Sequence, residues 1–213
     1  EVTSVAFHPK GNRVATGSED HTIRVWHPAT GELVGVLSGH TDHVLCVAFS
    51  PDGDWLATGG RDASVRIWKA YSLDLVATLD AARGNVRALD FSADGTLLVA
   101  DESGSLRCFD VRDWSLKAQT HVADEAFFAA GFSDDLPWIA VAGRQEVGRV
   151  FHLSETGLDL TAELAGGHTE WIQDVDFSPR DNSLATAGKD GLIQLWVVGE
   201  TELKPRSLLG HEG

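Results

Sequence analysis

The chain has 213 residues, with 17 basic against 32 acidic side chains and a formal net charge of −15. This balance argues against duplex nucleic acids and anionic membrane surfaces as partners, because both are bound through lysine and arginine. No signal peptide or transmembrane stretch is visible, and the two cysteines, Cys46 and Cys108, do not suggest a disulfide framework. We therefore predict a cytoplasmic protein that binds neither nucleic acid nor membrane.

A short motif that begins with phenylalanine recurs along the chain as F-H-P-K-G, F-S-P-D-G, F-S-A-D-G, F-S-D-D and F-S-P-R-D. It starts at Phe7, Phe49, Phe91, Phe132 and Phe177, so it returns about every 42 residues, a period typical of repeat architectures. The repeats are assigned to residues 1–40, 41–82, 83–122, 123–168 and 169–213. Because no linker separates them, they predict one domain over residues 1–213.

The second repeat shows the predicted elements most clearly. Its four strands are expected at residues 44–49, 54–59, 64–68 and 75–79, which are rich in β-branched and aromatic side chains. Between the first two, Ser50-Pro51-Asp52-Gly53 has proline and glycine at the positions that a type I turn favours. Since no repeat contains a helical period of comparable length, the sequence predicts an all-β fold of short antiparallel strands.

A second set of residues recurs with the same period. The second repeat contains Thr58, Asp62 and Ile67-Trp68, with Gly39-His40 just before it. The fifth contains Thr186, Asp190 and Leu195-Trp196, with Gly167-His168 just before it, and the first contains Thr16, Asp20 and Val25-Trp26. With these residues the whole chain resembles the WD-repeat family of β-propellers. The resemblance implies four-stranded antiparallel blades, five of them in this chain, within a larger ring of about seven.

The recurring histidine, hydroxyl and acid could also be taken for a hydrolase triad. A triad is normally built once, whereas this combination returns with the repeat. The resemblance instead implies a structural tetrad in which Trp68 donates to Thr58, Thr58 to His40 and His40 to Asp62, so that every buried polar group has a partner. The same role is implied for His168, Thr186, Asp190 and Trp196, and for Thr16, Asp20 and Trp26.

The third and fourth repeats depart from the family pattern. Phe109 and Phe151 replace the tryptophan, and neither has an N–H to place. By spacing, Ala100 and Val141 align with the threonine, Ala82 with the histidine, and Gln145 with a position near the acid. Removing all partners of a polar network together can be nearly neutral, so we expect apolar packing without a tetrad in these two blades.

The resemblance places partner binding on the rim that carries the start of each first strand and the tight turn before the aspartate. Eight rim residues are candidates for partner binding: His43, Arg61, Arg87, Phe128, Arg144, Trp171, Gln173 and Lys189. Trp171 beside Lys189 is the strongest candidate anchor, because exposed tryptophan and cationic side chains are common at interaction hot spots.

No cofactor or metal site is predicted. The H-T-D-H stretch at residues 40–43 has two histidines around an acid, but His40 is assigned to the tetrad and no third ligand follows at zinc spacing. The expected function is a non-catalytic scaffold or adaptor for protein partners. The alternatives are a sensor propeller attached to an enzymatic domain outside this sequence, and a propeller hydrolase with acids or histidines converging on the axis.

The position of the repeats raises one more expectation. The chain begins just after the place where a Gly-His pair would stand and ends just after Gly210-His211, which favours a piece of a larger ring. In a ring closed on five blades, His211 would instead complete the relay of Thr16, Asp20 and Trp26.

Overall fold

The computed structural model describes residues 1–80, 82–122, 125–181, 183–199 and 203–208. These residues form twenty β-strands in five four-stranded antiparallel sheets, which we call blades 1 to 5. The predicted all-β class with four-stranded blades is confirmed. The described part of the chain contains no helix long and apolar enough to cross a membrane.

Blade 1 contains β1 (Val2–Phe7), β2 (Val14–Ser18), β3 (Thr22–Trp26) and β4 (Leu33–Ser38). Blade 2 contains β5 (Val44–Phe49), β6 (Trp55–Gly60), β7 (Val65–Lys69) and β8 (Leu75–Leu79). Blade 3 contains β9 (Val86–Phe91), β10 (Thr96–Asp101), β11 (Ser105–Asp110) and β12 (Leu116–His121). Blade 4 contains β13 (Phe127–Phe132), β14 (Trp138–Gly143), β15 (Gly148–Ser154) and β16 (Gly157–Leu164). Blade 5 contains β17 (Ile172–Phe177), β18 (Ser183–Gly188), β19 (Ile193–Val197) and β20 (Arg206–Leu208).

The strands of each blade pair in chain order, so each blade is an antiparallel meander. In blade 2 the first and fourth strands match their predicted limits, and the middle two begin and end one residue later than predicted. Leu56 lies opposite Trp68, and Thr58 lies opposite Arg66. This register puts Thr58 and Trp68 on the same face of the blade, because side chains alternate along a strand.

Neighbouring blades pack face to face, and each contact has its own apolar core. The core between blades 1 and 2 contains Ile23, Val25, Leu56 and Trp68. Similar cores lie between each later pair of neighbours. The face of a blade that carries the recurring aromatic residue packs on the preceding blade, and the opposite face packs on the next. Burying one such side chain contributes about 1.5–3 kcal/mol, so each blade is stabilised largely by its neighbours.

The two outer faces of the array are more exposed than the inner ones. On blade 1, Val5 and Phe7 are 63% and 66% exposed. On blade 5, Leu195 is half-buried, whereas Val25 at the same place in blade 1 is fully buried. Within the described residues no further blade covers these faces. His211 lies outside the described residues, and the larger ring of about seven blades stays a prediction.

Candidate functional site

Blade 2 brings its four predicted tetrad side chains into one hydrogen-bonded chain. The Trp68 indole N–H donates to the Thr58 hydroxyl oxygen at 3.1 Å, and that oxygen lies 2.9 Å from His40 Nε2. His40 Nδ1 lies 3.0 Å from both carboxylate oxygens of Asp62. Asp62 also accepts the backbone N–H of Thr41 at 2.9 Å. The chain therefore ties β7 to β6, to the segment before β5 and to the tight turn after β6.

Burial and hydrogen bonding determine the protonation of His40 and Asp62 in this relay. Burial lowers the pKa of His40 below its ordinary 6.5, although the Asp62 carboxylate acts to raise it. A neutral imidazole that donates from Nδ1 to Asp62 leaves Nε2 free to accept the Thr58 hydroxyl proton. Burial acts to raise the pKa of Asp62, but hydrogen bonds from Thr41, His40 and Ser64 outweigh it, so that pKa falls below 3.8.

Blade 5 repeats the arrangement with the residues that the sequence suggested. Trp196 donates to Thr186 at 3.0 Å, and the Thr186 oxygen lies 2.8 Å from His168 Nε2. His168 Nδ1 lies 3.1 Å from the carboxylate of Asp190, which also accepts the Thr169 amide at 2.9 Å. The two blades thus share one geometry, although only short stretches of their sequences are alike.

Blade 1 contains the two ends of this arrangement without its centre. Trp26 donates to the Thr16 hydroxyl at 3.1 Å. Asp20 accepts the backbone N–H of Thr22 at 3.0 Å and pairs with Arg24 at 3.2 Å. Among the described residues, no histidine joins Thr16 to Asp20. The structure therefore brings Trp26 and Thr16 together but leaves Asp20 in a separate, exposed group.

Strand pairing corrects one alignment in blade 3. Val99 lies opposite Arg107, just as Thr58 lies opposite Arg66 in blade 2. Val99, and not Ala100, therefore occupies the threonine position. The alignment from spacing was wrong by one residue at the threonine position. The tight turn of blade 3 has no aspartate at the usual place by which to align it.

The expectation of purely apolar packing in blade 3 is wrong. Asp101 is 1% exposed and accepts the backbone N–H of Arg83 at 2.8 Å, as Asp62 accepts that of Thr41. Asp101 also accepts the amides of Ser103 and Ser105, at 2.8 and 3.1 Å. Burial acts to raise the pKa of Asp101, but these hydrogen bonds outweigh it and the pKa is lowered. Blade 3 thus has no tetrad residue, but Asp101 makes the hydrogen bond between loops that Asp62 makes in blade 2.

The position from which Asp101 acts explains why it was missed. By strand register, Asp101 stands where blade 2 has Gly60, two residues before Asp62. A Cβ atom at Gly60 would lie 2.9 Å from His40 Nδ1 and 3.0 Å from the Asp62 carboxylate. A side chain that starts there reaches the space that His40 and Asp62 fill. The signal in the sequence is a coupled change, with alanine for histidine and aspartate for glycine.

Blade 4 replaces the tetrad with apolar packing and a separate ion pair. Val141 and Phe151 are buried in the core shared with blade 3. On the same strand face, Arg149 lies opposite Val141, pairs with Glu125 and lies 3.3 Å from Glu163. Blade 4 therefore has the apolar packing without a tetrad that the sequence predicted.

The rim is held by the same main-chain hydrogen bond in all five blades. In blade 2 the amide of Arg61, in the tight turn, donates to the carbonyl of His43 at 2.9 Å. In blades 4 and 5, Arg144 and Lys189 donate in the same way to Ala126 and Trp171, at 2.9 and 2.8 Å. This bond places the turn side chain beside the residue that precedes the first strand.

A β-bulge brings a further side chain of each blade to the rim. The strand register skips one residue near the start of every first strand, and the skipped residues are Thr3, Leu45, Arg87, Phe128 and Gln173. A bulge leaves its extra residue unpaired and redirects its side chain. Arg87, Phe128 and Gln173 were among the predicted rim residues, and the bulge is the physical reason for their position.

Five of the eight predicted rim residues form a connected group, which we call the aromatic–basic patch: Arg87, Phe128, Arg144, Trp171 and Lys189. Trp171 is 39% exposed, with Arg144 at 5.1 Å and Lys189 at 5.0 Å from its ring centroid. The Phe128 ring lies 6.1 Å from that of Trp171, and Arg87 lies 5.8 Å from Phe128. The patch spans blades 3, 4 and 5.

The cations of the patch differ in how far they are neutralised. Arg87 pairs with Glu102 at 2.5 Å, and Lys189 with Glu170 at 3.6 Å. Arg144 is exposed and forms no ion pair among the described residues. The other predicted rim residues lie apart: Arg61 and Gln173 are exposed, and His43 is half-buried between blades 1 and 2.

Comparison with known proteins agrees with this geometry. A family model described as the IFT122 first beta-propeller matches residues 1–204. The chain belongs to this family. It is a WD-repeat β-propeller protein, as the tetrads and four-stranded blades suggested. WD-repeat propellers of this kind are in general scaffolds for protein interaction.

Curated relatives carry the same repeat. The chain is 30% identical over 211 residues to the nuclear distribution protein PAC1 of Coccidioides posadasii, which covers 99% of this chain and 38% of that protein. PAC1 of Ajellomyces capsulatus is 48% identical over 44 residues. An uncharacterized WD repeat-containing protein of Schizosaccharomyces pombe is 46% identical over 46 residues. The last two matches cover 10% and 12% of those proteins, so the chain spans well under half of each relative.

Proposed function

We propose that residues 1–213 form one WD-repeat domain that serves as a non-catalytic platform for protein partners, with the aromatic–basic patch as its docking site. The observation that carries the proposal is the environment of Trp171: a large, exposed aromatic ring between two cations and against a second aromatic ring. Clustered tryptophan and arginine side chains are typical of interaction hot spots. A cytoplasmic location stays a prediction.

The burial of the tetrad supports a non-catalytic role. Thr58 is 0% exposed and His40 is 5% exposed, so no substrate carbonyl can reach the hydroxyl. The Thr58 oxygen already accepts the Trp68 N–H, and its proton is directed to His40. A nucleophile needs access and a position for the reacting atom, and this group has neither. Neither an attached enzymatic domain nor a hydrolase is favoured by a specific contact in the described residues.

The chemistry of the patch indicates what a partner should offer. Trp171 provides apolar area, while Arg144 can form charge-assisted hydrogen bonds with carboxylates. These cations stand on a chain with a formal net charge of −15, so the patch contrasts with the rest of the surface. We therefore propose a protein partner that presents an apolar side chain next to acidic ones.

The proposal is tested with Trp171→Ala combined with Lys189→Ala. We expect this variant to lose about thirtyfold in affinity for the protein that the parent chain captures, since a hot-spot truncation commonly costs about 2 kcal/mol. Its melting temperature should stay within about two degrees of the parent, because both side chains are surface groups.

A matched control exists on the opposite face. Tyr71 is 43% exposed, with Lys10 at 5.9 Å from its ring. Tyr71→Ala with Lys10→Ala removes an aromatic–cation pair of the same kind and should leave capture unchanged. Equal losses in both double variants, or none in either, would contradict the assignment of the patch as the docking site.

A further inference from the structure

Side chains that can bind a metal ion meet on the rim where blades 1 and 2 join. His21 comes from the tight turn between β2 and β3, while Asp42 and His43 precede β5. One ligand atom of each lies within 4.8 Å of the others. Glu19 adds a carboxylate, with Oε1 3.8 Å from His43 Nδ1. The cluster therefore combines two imidazoles and two carboxylates, contributed by two blades.

One atom of the cluster is buried without a hydrogen bond. His43 Nδ1 is shielded from solvent and forms no hydrogen bond among the described residues. A buried polar nitrogen normally has a partner, and a bound cation would provide one. The neighbouring carboxylate is already oriented, because Asp42 Oδ1 accepts the backbone N–H of His43 at 2.7 Å. Such supporting hydrogen bonds are usual around metal ligands.

The ligand types select the ion. Imidazole nitrogens with carboxylate oxygens suit zinc, whereas magnesium and calcium prefer oxygen ligands alone. Ligand atoms in a tetrahedral zinc site lie about 3.3–3.6 Å apart, given metal–ligand distances of about 2.0–2.2 Å. Atoms within 4.8 Å of one another can reach these distances by side-chain rotation, since His21 is exposed and Asp42 only half-buried.

From this geometry we propose that His21, Asp42 and His43, with Glu19 as the fourth ligand, bind one zinc ion that links blade 1 to blade 2. The third histidine or acid that sequence spacing lacked is supplied by the preceding blade. The ion would add a further link between blade 1, whose outer face is exposed at Val5, and blade 2, on which blade 1 already packs.

The backbone at His21 provides a sharp test variant. His21 has a φ of 68°, in the left-handed region that favours glycine. Blades 3 and 5 have Gly104 and Gly191 at this turn position, with φ of 82° and 78°. His21→Gly therefore removes a ligand while relieving the backbone, so loss of zinc binding cannot be attributed to a damaged turn.

The experiment uses the purified chain after removal of metal with a chelator. Zinc is titrated by calorimetry, and melting is followed with and without zinc. We expect one zinc per chain and a melting temperature that rises with zinc, because a ligand that binds only the folded state stabilises it. His21→Gly should bind zinc at least about tenfold more weakly. Without zinc it should melt no lower than the parent. The control is His121→Ala, an exposed histidine outside the cluster, which should respond like the parent.

A second measurement is independent of any variant. Cobalt added to the metal-free parent should give the visible absorption of a four-coordinate site, and zinc should abolish it. Absence of zinc binding by the parent overturns the proposal. So does zinc binding that His21→Gly leaves unchanged, or a stabilisation that magnesium reproduces, since these would indicate adventitious binding at other surface groups.

Discussion

The indole N–H of Trp68 donates to the hydroxyl of Thr58 over 3.1 Å, and the two residues are only 4% and 0% exposed. The same hydrogen bond joins Trp26 to Thr16 in blade 1, where both residues are half-buried. The difference in burial decides how much each bond is worth, because water can replace a lost partner only where it has access.

Trp68→Phe should therefore destabilise the fold by about 1–3 kcal/mol, since it leaves the Thr58 hydroxyl without its buried donor. Trp26→Phe is the matched control and should cost less, because water reaches Thr16. Denaturant unfolding of both variants measures the difference. A Trp68→Phe variant as stable as the parent, or no more damaged than Trp26→Phe, would contradict a structural role for this relay.

Asp101→Asn should destabilise blade 3 by about 1–3 kcal/mol, because an amide cannot accept the N–H groups of Arg83, Ser103 and Ser105 with both of its ends. Asp113→Asn is the control: Asp113 accepts one amide, that of Ser115, at an exposed turn. Thermal melts of the two variants give the comparison. Equal and small losses would mean that the Asp101 carboxylate is not needed to hold the loops.

The relay of blade 2 should make stability depend on pH. The pKa of His40 is lowered in the folded chain, so protonation favours the unfolded state. The stability that His40 contributes is present above its ordinary pKa of 6.5 and is lost as the pH falls through its lower folded pKa. A protonated imidazole could no longer accept the Thr58 hydroxyl.

His40→Gln isolates this effect. The parent should lose stability relative to His40→Gln when the pH is lowered from about 7.5 to about 5, as measured by urea unfolding at each pH. A stability difference between the two proteins that does not change over this range would show that His40 titrates alike in the folded and unfolded chains.

Both thiols should be unreactive in the native protein. Burial raises the pKa of Cys46 and of Cys108 to about 12, and only the thiolate attacks thiol reagents. Cys46 lies in the core between blades 2 and 3, and Cys108 in the core between blades 3 and 4. Each single variant keeps one thiol. Labelling of Cys46→Ala therefore reports opening of the core around Cys108, and labelling of Cys108→Ala reports opening of the core around Cys46. Labelling of the native chain as fast as in denaturant would contradict this.

Much of the fold follows from residues that local chemistry constrains. The repeat period, the turn at Pro51 and Gly53 and the β-branched runs predicted the strands of blade 2 to within one residue. The tetrads of blades 2 and 5 were visible because their members stand at constant spacing, which the strand register requires.

Three features could not be predicted from the sequence, because they depend on contacts between residues that no regular spacing along the chain connects. Asp101 acts from a neighbouring turn position, so a search for aspartate at the usual spacing passes over it. His21 meets His43 only because two blades pack together, and no local pattern links them. The patch joins Arg144 of blade 4 to Trp171 of blade 5. This cation–π contact depends on how the two blades pack, which the sequence pattern does not determine.

The main-chain bond from Arg61 to His43 recurs in every blade and involves no side chain. The conformation of the loop therefore depends on main-chain atoms, whereas the surface that the loop exposes depends on side chains. A new side chain at Arg144 or Lys189 changes the surface that is displayed without altering the loop that displays it. Under the proposed docking site, moving an aromatic residue from one blade to the next would shift the contact surface by one blade around the rim, while the main chain of each loop stayed the same.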